Sequence, residues 1–458
     1  MPAVSRRLTR SLGGVMLGAL LSCAEPAPDT STRDVAPAPG SPPAFQLVVT
    51  SDQLGELYPC GCRVAPAGGL ARRVAAIVRH AGRGPSLVVD GGDAFFRLAR
   101  INPRDAAEAR ANAEVIADGL RRTRAAAMVV GERDLALGLD VLEGLAERAG
   151  VTLVAANLRD DQGRSPFATQ VDIDVAGRRV SVIGAVGPGL GYRAAALSVS
   201  EPVAALVASA RGARGRGADA VVALLHMSEG QAADVERKVG RDLVDAFVLG
   251  HPRRAAAVAR QGRTLQAGDR GRWVLTASVA RGRVFGVGLH PVGASDPEDP
   301  AMAAQVRRVA QRASARDRGA PRYVGAGACK RCHAPAYASW RRTAHARTWR
   351  TLAAARQTSN LDCFACHVTG FERPGGPRSV AETARLRSVG CEACHGPGSR
   401  HVASSTVAMP VAAVGPEVCQ ECHRSDPHQG PFDHEARRAQ ITGVGHGRGP
   451  KTPAPSIR

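Results

Sequence analysis

The chain has 458 residues, 44% hydrophobic and 22% charged, with a formal net charge of +20. That balance excludes a wholly disordered or fibrous chain and leaves room for two or three folded domains. The positive charge is almost all arginine, spread along the whole length with lysine only at Lys238, Lys330 and Lys451; no nucleic-acid-binding motif accompanies it, so nucleic acid is not expected as a partner.

The N-terminus reads as an export signal. Arg6, Arg7 and Arg10 form a basic start, and Leu12 to Leu21 an apolar run too short to span a bilayer. The run closes in Leu20-Leu21-Ser22-Cys23, which resembles a bacterial lipobox. The resemblance implies that residues 1–22 are a signal peptide and that Cys23 is lipidated. The mature protein is then exported and anchored to the bacterial membrane, facing the periplasm or the cell surface. An ordinary cleaved signal peptide is the alternative. Residues 23–44, rich in Pro, Ser and Thr, read as a flexible tether.

From 45 to 292 short apolar runs alternate with helical periodicity. Strands are predicted over 45–50, 86–90, 125–130, 151–155, 179–186, 219–225 and 245–249. Helices are predicted over 69–81, 105–122, 141–148, 202–214 and 231–239, and a hairpin over 273–289 around Arg281-Gly282. This is an α/β domain. Its strand ends carry polar residues, where α/β folds place their sites. In order these are Asp52, Asp90-Gly91-Gly92-Asp93, Gly131-Glu132-Arg133-Asp134, His226, and Gly250-His251-Pro252-Arg253.

That order, with Gly68-Gly69-Leu70-Ala71-Arg72 and Ala155-Ala156-Asn157-Leu158, resembles the 5'-nucleotidase branch of the calcineurin-like metallophosphoesterases. The resemblance implies an αββα sandwich whose two metal ions activate a water and clamp a phosphate. The chain departs from the pattern at several ligands. Leu54 stands in place of the first His, Glu132 and Arg133 in place of an Asn and the catalytic His, and Arg253 in place of the last His. The first metal keeps only Asp52 and Asp93, since leucine has no lone pair and arginine cannot be deprotonated. The second keeps Asp93, His226 and His251, with Glu132 standing in for Asn. One divalent metal on Asp93, Glu132, His226 and His251, with Asp52 at its margin, is the chemically reasonable remainder. A vestigial scaffold and intact hydrolysis are the other readings. The loop Pro59-Cys60-Gly61-Cys62 resembles that of exported 5'-nucleotidase-like proteins with Cys or selenocysteine there. Cys60 and Cys62 are read either as a structural disulfide or as a redox-active or metal-binding pair.

Residues 293–322 read as a connector with a basic helix over 301–316. Beyond it Cys-x-x-Cys-His occurs four times: at Cys329, Cys332 and His333; Cys363, Cys366 and His367; Cys391, Cys394 and His395; and Cys419, Cys422 and His423. This is the attachment motif of c-type haem. Thiols three positions apart share one face of a helical turn and reach the two vinyl groups, and the adjacent His becomes the proximal iron ligand. A zinc ribbon shares the Cys-x-x-Cys spacing but needs no His after each second Cys. Four covalent haems are therefore expected, with eight propionates that offset part of the positive charge. Distal ligands are sought among His345, His401, His428, His434 and His446. Of 11 cysteines, the motifs use eight, and Cys23, Cys60 and Cys62 complete the count. Export and haem agree, because c-type haem is attached outside the cytoplasm.

Trp340 with His345, and Cys394-His395-Gly396-Pro397-Gly398-Ser399-Arg400-His401, resemble the tetrahaem cytochrome c-552/c-554 family. The resemblance covers about 323–446 and implies a mostly irregular or helical multihaem cytochrome c domain, with porphyrins as its core and a helix over 432–441. Residues 447–458 read as a disordered tail. The function expected is electron transfer with a redox partner protein or a quinol-linked chain, the α/β domain serving as a docking or redox module. Two alternatives are a phosphoesterase-type hydrolase with a cytochrome tail, and a haem oxidoreductase acting on a small nitrogen or sulfur compound through an open iron.

Overall fold

The computed structural model describes residues 45–59, 66–101, 105–252, 258–259, 263–280, 282–358, 361–371, 373–378, 380–423 and 433–443. The signal and tether, Cys23, Cys60, Cys62, Arg253, His428 and His446 lie outside the described residues.

The first sheet starts from β1 (Phe45–Thr50), whose run Leu47-Val48-Val49 is fully buried. Strands buried on both faces read as unbroken apolar runs, as parallel central strands do. β1 pairs in parallel with β2 (Ser86–Asp90), β2 with β3 (Ala127–Val129), and β3 with β4 (Thr152–Val154). The hairpin β13 (Trp273–Ala280) and β14 (Arg283–Pro291) closes the other side, β13 lying antiparallel to β1. The second sheet is built from β7 (Arg179–Val186), β9 (Ala220–His226), β10 (Ala246–Gly250) and β12 (Thr264–Gln266), all parallel. β6 (Gln170–Asp174) and β11 (Val258–Ala259) flank it antiparallel. A short pair, β5 (Leu158–Arg159) with β8 (Ser198–Val199), stands apart. β3 and β4 meet β7 and β9, so the two sheets pack face to face.

Helices cover both outer faces. α1 (Leu70–Ala81), α2 (Ala106–Thr123) and α3 (Leu139–Ala149) serve the first sheet, α4 (Pro202–Gly215) and α5 (Glu229–Val239) the second. Leu70, Val74 and Ile77 of α1 fall on one side of that helix and are buried, the spacing of a core-facing stripe. The result is the expected αββα sandwich. β5, β6, β8, β11 and β12 were not predicted. α6 (Pro300–Gly319), in the segment read as a connector, packs on α1 and α2, and the Asp299 amide before it donates to the Ala71 carbonyl at 3.0 Å.

Beyond 320 the described residues form eight short α-helices: α7 (Ala326–Cys329), α8 (Ala334–Trp340), α9 (Thr348–Ala354), α10 (Leu361–His367), α11 (Cys391–His395), α12 (Ser399–Ala403), α13 (Pro416–Gln420) and α14 (His434–Ile441). Their apolar core is small: Leu352, Phe364, Val368, Phe371 and Leu386. Among the described residues no helix is long and apolar enough to cross a membrane.

Candidate functional site

The C-terminal ends of β1, β2, β9 and β10, with the turn after β3, bring the polar strand-end residues together. The chain turns sharply to do this. Asp52, Leu54, Asp93 and His251 have φ of 48°, 55°, 53° and 79°, in the left-handed region that side chains with a Cβ avoid. Close backbone approach demands glycine between them. A Cβ on Gly250 would lie 1.9 Å from the Gly91 carbonyl, and one on Gly131 2.2 Å from Asp93 Oδ1.

One ligand atom each from Asp93, Glu132, His226 and His251 lies within 4.8 Å of the others. His226 Nδ1–H donates to the Gly91 carbonyl at 2.8 Å, which orients the ring with Nε2 facing Glu132 Oε2 at 2.9 Å. His251 Nδ1 is 3.4 Å from the same carboxylate oxygen. Burial raises Asp93, and the neighbouring Glu132 charge raises it further. Burial also opposes charge on Glu132, but hydrogen bonds from His226 and His251 hold it well below the usual carboxylate range. Burial pulls His226 down, yet the carboxylates of Asp93 and Glu132 outweigh it and hold the imidazole at about 10. The pocket is therefore built around positive charge. Two carboxylates and two imidazoles within bonding reach of one point suit a single divalent ion.

The place of a first metal is different. Leu54 is 2% exposed and offers no donor. Asp52 stays apart from the four-residue cluster; its carboxylate accepts the His251 amide at 3.1 and 3.2 Å, and burial raises it well above its ordinary value. Arg133 brings a cation of its own, with Nε 2.9 Å from Asp93 Oδ2, while its backbone amide donates to Asp93 Oδ1 at 2.9 Å.

Sequence reasoning assigned Asp134 no task. It is fully buried and accepts the amides of Asp93 at 2.8 Å, Gly131 at 3.0 Å and Phe95 at 3.0 Å. Burial, then the nearby Asp93 charge, pushes it up to about 7. It braces the turns that carry the ligands.

In the C-terminal region the eight motif cysteines are free of disulfides. Two motif histidines, His333 and His423, each face a second imidazole. His333 and His401 have ring centroids 6.2 Å apart at 28°; His345 and His423 are 5.8 Å apart, with Nε2 to Nε2 at 3.5 Å. Two metal–imidazole bonds of about 2 Å each need about 4 Å between the nitrogens, so a small opening admits an iron between His345 and His423. His367, His395 and His401 each donate Nδ1–H to a backbone carbonyl, of Thr348 at 3.1 Å, Val411 at 2.9 Å and Val407 at 2.6 Å. That leaves Nε2 for a metal. His434 opens α14, partly buried. Also unforeseen was Glu392, inside the third motif and 1% exposed, whose carboxylate accepts the amides of Val324, Gly325 and Gly398 at 2.7–3.1 Å.

No curated protein matches the chain. Residues 328–396, which hold the first three Cys-x-x-Cys-His motifs, match the family described as cytochrome c554 and c-prime. Among solved structures, the sulfate thiohydrolase SoxB of Thermus thermophilus superposes with a TM-score of 0.51 at 18% identity, over 64% of this chain and 64% of that one. A 5'-nucleotidase precursor, also from Thermus thermophilus, gives 0.49 at 21% identity, over 62% of this chain and 61% of that one. The calcineurin-like phosphoesterase YfkN of Bacillus subtilis gives 0.48 at 18%, over 59% and 97%. The chain spans 61% and 64% of the length of the two Thermus proteins. It joins a phosphoesterase-type α/β fold to a haem-binding segment of the cytochrome c554 type.

Proposed function

We propose that the protein is a membrane-anchored tetrahaem c-type cytochrome that passes electrons, with a one-metal remnant of a phosphoesterase site in its α/β domain. The observation that carries the reading is the placing of His401 opposite His333 and His345 opposite His423, on a chain with four attachment motifs. Haem bound at these motifs would supply one-electron transfer. The motif cysteines would hold each porphyrin, and the carbonyls of Thr348 and Val411 orient the imidazoles of His367 and His395. Lipidation at Cys23 and export to the periplasm or cell surface belong to the same reading and rest on the lipobox-like sequence. A Cys23→Ala variant is expected to leave the membrane fraction.

In the α/β domain, Asp93, Glu132, His226 and His251 would hold one divalent ion, which supplies Lewis acidity when bound. Two-metal phosphoester hydrolysis is disfavoured by Leu54 and by the Arg133–Asp93 pair.

The test is a visible spectrum of the exported protein, oxidised and dithionite-reduced, with a pyridine haemochrome count. Four low-spin haems per chain are expected. A protein purified without covalent haem overturns the reading, and a large high-spin fraction turns it toward chemistry at an open iron.

A further inference from the structure

The loop between the second and third haem motifs has no part in the proposed function, yet it is held firmly. The Tyr323 amide donates to the Gly375 carbonyl at 3.2 Å. Gly370, at φ 68°, lies so close to the Tyr323 ring that a Cβ would come within 2.7 Å of it, and one on Gly375, at φ 74°, would lie 2.2 Å from the Pro321 carbonyl. Only glycine fits either place. The loop is thus pinned to the segment that joins the two halves of the protein. At its tip, between these glycines, stands Arg373.

The Arg373 guanidinium reaches two carboxylates at once. One nitrogen pairs with Asp105, at the start of α2 in the α/β domain, and another with Glu421, inside the fourth motif Cys419-Gln420-Glu421-Cys422-His423. Beside this bridge, Arg100 Nη1 donates to Gln420 Oε1 at 3.0 Å. Both α/β contacts lie on the segment that leaves the candidate metal site after Asp93, and Arg133 donates from its Nη1 to the Arg97 carbonyl on the same segment.

We propose that Arg373 is a positioning residue that seats the fourth haem motif on the α/β domain. The proposal rests on the reading that all four motifs carry haem. Partly exposed ion pairs contribute little to stability, so the fold survives their removal. Their charge still acts on the haem held by Cys419 and Cys422, because local charge helps set a haem potential. Loss of a nearby cation disfavours the reduced form, and loss of a nearby anion favours it.

The experiment is a spectroscopic redox titration of full-length, haem-loaded protein in three variants, with haem counted in each. Arg373→Gln is expected to lower the midpoint potential of one haem, Glu421→Gln to raise that of the same haem, and Arg373→Lys to stay near wild type. Limited proteolysis around residue 320 is expected to quicken in Arg373→Gln. Full haem content with unmoved potentials, or equal shifts in every haem, overturns the proposal. A chain with fewer than four covalent haems overturns the reading beneath it, and the haem count separates the two failures.

Discussion

Glu132→Gln is the most direct probe of the metal site. The variant keeps the size of the side chain and removes its charge. In the wild type one Glu132 oxygen lies 2.9 Å from His226 Nε2 and 3.4 Å from His251 Nδ1. With metal–ligand bonds of about 2.0–2.2 Å, opposite ligands stand roughly 4 Å apart. The four donors, all within 4.8 Å of one another, therefore close around one ion with small side-chain movements. Replacing the carboxylate by an amide removes one of two negative charges and leaves a weaker, neutral oxygen donor. Changes even to residues that only orient a ligand cost about 10–100-fold in metal affinity, so the loss here is expected at or above that range, about 1.4–2.8 kcal/mol or more. The assay is calorimetric titration of metal-stripped, haem-loaded protein with Mn²⁺ or Zn²⁺. Wild type is expected to take up one ion per chain, because the Arg133 guanidinium already pairs with Asp93 Oδ2. Uptake of two ions, or undiminished affinity in Glu132→Gln, would refute the reasoning.

Three further outcomes are open to measurement. His345→Ala and His401→Ala each remove an imidazole that faces a proximal histidine; each is expected to convert one haem from low to high spin, and an unchanged electron paramagnetic resonance spectrum would count against the pairing. His80 stacks on His290 at 3.9 Å, and burial, then the charges of His290, Arg83 and Arg79, hold it down at about 4. The unfolded chain then binds more protons between about pH 6.5 and 4, so stability is expected to fall as pH drops through that window; His80→Gln should flatten denaturant midpoints measured across it. Glu392→Gln leaves backbone amides of Val324, Gly325 and Gly398 without their charged acceptor. A cost of about 1.5–3 kcal/mol is expected, and a melting temperature within error of wild type would contradict it.

Much of this architecture is legible in the sequence, and the rest is hidden for physical reasons. Unbroken apolar runs such as Leu47-Val48-Val49 announce buried parallel strands, and β1, β2 and β7 fall where predicted. β6 escapes because Gln170-Val171-Asp172-Ile173-Asp174 is an edge strand with three of its five residues polar, and β12 because three residues carry no periodicity. At the site, residue types at the strand ends pointed to Asp93, Glu132, His226 and His251. Asp134 did not stand out, since its partners are backbone amides and any acid in a turn looks alike in sequence. The left-handed turns at Asp52 and His251 leave no trace either, because neither residue is a glycine. Among the haem motifs, spacing nominates His401 and His345 but does not say which iron each serves. That is decided by folds of the chain across 68 and 78 positions.

The five-residue apolar core of the C-terminal region has a consequence for biogenesis. Among the described residues this region buries too little apolar surface to offset the entropy of ordering its short helices. Structure there must come from the prosthetic groups, as it does in small metal-dependent domains. The two halves of the protein therefore mature on different schedules. The sandwich, with its continuous core, is expected to close on its own, while the motif-bearing region is expected to stay unfolded until its cysteines are loaded. In cells unable to attach haem, protease is expected to trim the chain back to a stable fragment ending near Gly319.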